Sequence, residues 1–225
     1  MSGATFLQTA GLILNTFELE SRVTLFPNWI FFALVFSMAL VSSVRYVTMD
    51  YFLYMWQGIS KNTLLQIEFR TGSAPVRRGT VLLTANYILT GTLFIYMLAT
   101  YLNAPTGLNV LVIPTLLFFY HQFTLLLTGA LTGEYKRLRE LFKINTIIYQ
   151  WFGLLVMPLL LIWLLHPNHS TSLLFAIAVL FGLLTLIRFF KGFVKAIENK
   201  LPWYYIFLYF CTAEIWPVIF ILKLQ

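Results

Sequence analysis

Charge is what this 225-residue sequence has least of. Asp, Glu, Lys and Arg make up 10% of it, 60% is hydrophobic, and the mean hydropathy is +0.82. A soluble domain carries about 25% charged residues. So much apolar surface has nowhere to hide in a water-facing globule, which excludes the soluble class and leaves the membrane class. Cysteine is nearly absent as well. The single Cys211 excludes an internal disulfide and any multi-cysteine metal or iron–sulfur site, and its place in an apolar run reads as small packing residue. Met1 to Ala10 hold no Lys or Arg, so a cleavable signal peptide is not expected. No HExxH, GxSxG or P-loop pattern occurs, and the serines inside apolar runs (Ser37, Ser42, Ser43) have no recognisable base. A protein without catalytic activity is expected.

What is present is a series of apolar runs separated by polar turns. Residues 1–27 are mixed, with Glu18 and Glu20 interrupting Leu12, Ile13, Leu14 and Phe17, and read as an interfacial helix. Residues 28–225 read as one transmembrane domain with spans at about 28–44, 79–102, 108–131, 144–165, 172–190 and 201–222. The expected fold is therefore all-α, an integral membrane bundle of six helices. The first span is the shortest. A re-entrant hairpin over 28–60 is the alternative there and would leave five full crossings.

Basic residues set the expected orientation. Of the fifteen Lys and Arg, five fall in 45–78, four in 134–143 and four in 188–200, while the turns at 103–107 and 166–171 hold none. By the positive-inside rule the three basic segments face the cytoplasm, and six spans then place both termini outside. The net charge of +7 is thus read as orientation and as affinity for anionic lipid, not as a nucleic-acid surface. The segment Glu134 to Lys143 is amphipathic. Tyr135, Leu138, Leu141 and Phe142 fall on one helical face with basic residues opposite, which predicts a short surface helix on lipid or a docking face for a partner.

The polar residues inside the spans are the candidate sites. Glu214 is the only acidic residue deep inside an apolar run, and a carboxyl group there requires a partner or a proton. Pro217 follows three residues later, lacks an N–H and frees the carbonyl of Ala213, predicting a kink; Pro158 predicts another in the fourth span. At 1.5 Å per residue, Glu214 lies about 4 Å outward of its span's midpoint and His121 about 2 Å inward of its own, so the two could meet. Gln122 adjoins His121, and Asn86 and Gln150 lie nearer the cytoplasmic side. Two roles fit these residues: a proton or cation path in which Glu214 titrates and His121 relays, or polar bonds that lock helices together. No metal or cofactor is expected. His166 and His169 sit beside Pro167 in an outer turn, and a haem would need axial groups at one depth.

From Gly133 onward the chain resembles a family of polytopic membrane proteins from Bacteroidota defined by a domain of unknown function. The resemblance is carried by Glu134-Tyr135, by Leu141-Phe142-Lys143-Ile144-Asn145, by Gly153-Leu154-Leu155 with Pro158, and by Phe207-Leu208-Tyr209-Phe210-Cys211-Thr212-Ala213-Glu214-Ile215-Trp216-Pro217. Trp216 stands where the family pattern has an aliphatic residue. The resemblance implies a bacterial inner membrane and a shared fold, and no activity. Together with the missing catalytic motifs it points to a subunit or scaffold of an inner-membrane complex that contacts other membrane subunits. A small proton- or ion-coupled transporter using Glu214 and His121 is the alternative.

Overall fold

The computed structural model describes residues 26–47, 51–60, 73–104, 108–132 and 135–198, and among them the regular elements are helices. These are α1 (Trp29–Val47), α2 (Tyr51–Ser60), α3 (Ser73–Tyr101), α4 (Leu108–Thr132), α5 (Tyr135–Leu165) and α6 (Ser170–Glu198), with a single 3₁₀ turn, Pro167–His169, between the last two. All but α2 are long and apolar enough to cross a bilayer, which makes this a multi-pass membrane protein. The reason is general: hydrocarbon offers backbone N–H and C=O groups no partners, and a helix satisfies them all internally. The expected sixth span, 201–222, and the expected interfacial segment, 1–27, fall outside the described residues apart from Phe26 and Pro27.

The described residues after α3 and α5 show how both helices end at the expected turns. α3 stops in a Schellman motif: Asn103 takes a positive φ of 53°, its N–H bonds the carbonyl of Thr100 at 3.2 Å, and the Ala104 N–H bonds that of Ala99 at 2.9 Å. Asparagine tolerates this left-handed geometry better than other side-chain-bearing residues. Between α5 and α6, Pro167 starts the 3₁₀ turn at a position that needs no N–H donor. Two helices run further than the apolar runs alone predict. α5 begins at Tyr135, so the segment 134–143 is not a separate surface helix; its residues from Tyr135 on are the first turns of a 31-residue helix whose membrane-crossing stretch is Leu141–Leu165. Leu141 is half-buried and Phe142 is exposed there, while the side chains of Tyr135 and Leu138 lie outside the described set. α6 likewise continues through Arg188 and Lys191 to Glu198. Pro158 lies within α5, which passes it without a break.

α5 is the central helix and packs against each of the other five. Ile147, Val156, Leu160 and Trp163 are buried along it. Its closest approach is to α3. A Cβ built on Gly153 would stand 2.7 Å from the Cα of Tyr87, so the two backbones meet where there is no side chain between them. A second close approach seats Pro114 of α4 against Gly91 of α3, at 3.0 Å from a Cβ built there. α2 spans about 15 Å, half of what a crossing needs. It buries Tyr51, Tyr54, Met55 and Gly58 on one side and exposes Leu53 and Trp56. The Lys191 ammonium holds its C-terminal turn by donating to the Gly58 carbonyl at 2.9 Å, a cation at the negative end of a helix dipole.

Candidate functional site

Counting along each helix from the hairpin-turn end, at 1.5 Å per residue, places the polar side chains in one slab. His121 lies about 20 Å in, Asn86 and Gln150 about 22 Å, Tyr149 about 24 Å and Arg188 about 27 Å. The slab therefore sits near the middle of α3, α4 and α5. Three sets of hydrogen bonds cross it, each between different helices.

The first joins α1 to α3, where the Ser37 hydroxyl donates to Asn86 Oδ1 at 2.6 Å with both residues buried. The second joins α2, α3 and α5 around Gln150, which has no exposed surface. Tyr51 donates its hydroxyl to Gln150 Oε1 at 2.9 Å and lies 2.9 Å from the Thr80 hydroxyl. Gln150 Nε2 donates to the Thr80 carbonyl at 3.0 Å and to Thr84 Oγ1 at 3.2 Å. Burial pushes the Tyr51 hydroxyl above its ordinary value, against the bonds to Thr80 and Gln150, so it stays protonated at neutral pH and available as a donor.

The third set joins α4, α5 and α6. Gln122 Nε2 donates to Thr146 Oγ1 at 2.9 Å. One turn on, the Tyr149 hydroxyl lies 2.7 Å from His121 Nδ1, and Arg188 Nη1 donates to the same hydroxyl at 3.3 Å. The guanidinium carbon also sits 5.7 Å from the centre of the Tyr149 ring. Tyr87 and Phe118 complete the aromatic surround, with centroids 4.9 Å and 5.5 Å from that of Tyr149. An arginine inside a span is costly unless its charge is met by acceptors and aromatic faces, and Tyr149 offers both.

Within this slab Asn86 thus meets α1, Gln150 meets α2 and α3, and His121 and Gln122 meet α5. Glu214 and Pro217 lie outside the described residues, and so does any contact between Glu214 and His121. Sequence reasoning left three participants unassigned. Tyr149 and Tyr51 were assigned no role, and Arg188, at the end of the expected span 172–190, was counted only among the basic residues that set orientation. The signal for Arg188 was available: between Leu180 and Val194 only Arg188 and Lys191 carry charge, and Phe189, Phe190 and Phe193 surround them. What the arrangement does chemically is bind helices to one another and present one protonatable ring, His121, to a tyrosine and an arginine.

Searches of curated proteins and of solved structures found no match. Residues 30–224 match the family described as Domain of unknown function (DUF4271), a stretch that begins at the first turn of α1 and takes in every described helix. The match extends well before Gly133, where the motif resemblance began. By that coverage, this multi-pass membrane chain is a member of the DUF4271 family.

Proposed function

We propose that this protein is a non-catalytic subunit or scaffold of a bacterial inner-membrane assembly, with its basic end in the cytoplasm. The observation that carries the reading is the use made of the polar side chains. Ser37, Asn86, Gln150, Gln122 and Tyr51 each bond a neighbouring helix, which is how a membrane bundle specifies its helix pairing. The start of α5 supplies an exposed Phe142 beside basic residues, a surface suited to another subunit or to anionic lipid. Isolation of the tagged protein in mild detergent should bring down a stoichiometric membrane partner, and Phe142→Glu should release it. Recovery of a homo-oligomer alone, unchanged by that substitution, would overturn the proposal. Orientation is checked separately: a periplasm-dependent reporter fused at residue 105 should be active, and activity of a cytoplasm-dependent reporter there would invert the topology.

A second reading, a small proton-coupled carrier, draws on the chain of contacts from His121 through Tyr149 to Arg188. A homo-oligomer that conducts protons in reconstituted vesicles would favour it over the first.

A further inference from the structure

Asn145 of α5 is only 2% exposed, and neither its Nδ2 nor its Oδ1 meets a partner within the protein. Turning the amide over exchanges the two atoms and leaves both unmet. An amide in this condition is costly in a membrane bundle, whereas leucine, of nearly the same volume, would fill the place without that cost. An asparagine here therefore calls for something that bonds it. The adjoining polar groups are already engaged. The Thr146 hydroxyl donates to the Phe142 carbonyl at 3.0 Å and accepts from Gln122 Nε2 at 2.9 Å. The second of these bonds uses the Gln122 nitrogen and leaves Gln122 Oε1 unmet as well. The seam between α4 and α5 thus holds one unmet amide nitrogen and two unmet amide oxygens, on residues linked through Thr146.

Size and chemistry restrict what can meet these atoms. A side chain so nearly enclosed leaves no opening for a lipid headgroup or for a residue of another subunit. A bare cation would suit the oxygens and be repelled by the N–H groups. Water donates and accepts at once, and a buried water typically makes about three hydrogen bonds to groups of this kind. The way in is short. Asn145 lies one helical turn, about 6 Å, inside Leu141, where the crossing stretch of α5 begins, and Leu141 is half-buried. We propose that ordered water binds at Asn145, in the seam between α4 and α5, entering from the basic end of the bundle, and that Gln122 Oε1 takes part in holding it. Asn145 and Tyr149 are four residues apart on one face of α5, so this water extends hydration to within a turn of the polar slab. The inference goes beyond both functional readings. A scaffold would use the water to join two helices and a carrier would use it as an approach to the slab, and the site is the same in either case.

Water-edited solid-state NMR on the full-length, isotopically labelled protein in lipid bilayers tests this directly, because magnetisation passes from water only to protein atoms close to it. Two side-chain amides calibrate the measurement. Gln150 is as deeply buried and has both of its polar atoms bonded to protein, while Asn168 is exposed in the turn between α5 and α6. After sequential assignment, the Asn145 Nδ2 signal should build up several-fold faster than that of Gln150 Nε2 and at a rate close to that of Asn168 Nδ2. A build-up as slow as that of Gln150 overturns the proposal, and this measurement needs no variant to fold. Asn145→Leu gives an independent reading. Leucine in place of a dry, unmet amide would raise the melting temperature of the detergent-solubilised protein, whereas with water bound the melting temperature should stay level or fall. A clear rise overturns the proposal. Proton conduction and partner recovery do not enter either measurement, so the water site and the functional readings stand or fall separately.

Discussion

Gly153→Ala is expected to lower the thermal stability of the detergent-solubilised protein, and Gly153→Leu to prevent a stable bundle from assembling. The added Cβ would stand 2.7 Å from a backbone atom, the Cα of Tyr87, with the Tyr87 Cβ and the Thr90 hydroxyl each at 3.1 Å. A side chain tip could swing away, whereas α3 can yield only by moving as a helix. That motion would carry Tyr87 off the Tyr149 ring and loosen the Ser37–Asn86 bond one residue along. Overpacking of this kind costs about 1–3 kcal/mol. Replacing glycine in a helix by alanine contributes about 1 kcal/mol in the other direction by reducing chain entropy. The net expectation for Gly153→Ala is thus a loss of up to roughly 2 kcal/mol, towards the upper end because the clash is with backbone. Gly182 of α6 provides the control. Nothing lies within 4 Å of a Cβ built there, so Gly182→Ala should raise the melting temperature slightly. Opposite signs for the two substitutions, read by size-exclusion melting curves, are the result that matters. Equal small shifts would show that α3 and α5 are not in close backbone contact.

Gln150→Leu should be the most damaging of the polar-to-apolar substitutions. Leucine keeps nearly the same volume and suits a span, so hydrophobicity alone predicts tolerance. The buried amide, however, accepts from Tyr51 and donates to Thr80 and Thr84, joining three helices through one side chain. Inter-helix polar bonds in membranes contribute about 0.6–1.7 kcal/mol each, so the expected loss from three of them is roughly 2–5 kcal/mol. The loss should also be local. α2 is too short to cross the bilayer and depends on Tyr51, on Lys191 at Gly58 and on its buried apolar face for its position. Hydrogen exchange should therefore rise in residues 51–60 before it rises in α3 or α5. A variant with unchanged melting and unchanged exchange in α2 would mean that packing, not this amide, holds the short helix.

The polar slab shows how far pattern reading carries and where it stops. Asn86, Gln122 and Gln150 stand out in the sequence because an amide in an apolar run is unusual. Their partners do not stand out, because serine, threonine and tyrosine are common in spans, and the hydroxyls of the first two ordinarily bond their own helix backbone, as Thr124 and Thr128 do here. Ser37 and Tyr51 become informative only once α1 and α2 are set against α3 and α5. Arg188 is a similar case. Positive-inside counting treats it as an anchor at the membrane surface, and α6 instead carries it past that point as part of a continuous helix.

The sequence by itself determined the membrane class, the helical class and the two hairpin turns, through the scarcity of charge, the length of the apolar runs and the Asn, Pro and His residues between them. Those features act locally or on the chain as a whole, and need no knowledge of neighbours. Only the tertiary structure decided that α5 is central, that α3 meets it at Gly153, and that His121 faces Tyr149 and Arg188. In water, burying an apolar stripe would have indicated which face of each helix turns inward. In a bilayer the lipid is as apolar as the core, so that guide is lost. Helix pairing then rests on a few close approaches and hydrogen bonds between residues far apart in sequence, and these exist only when the helices have met.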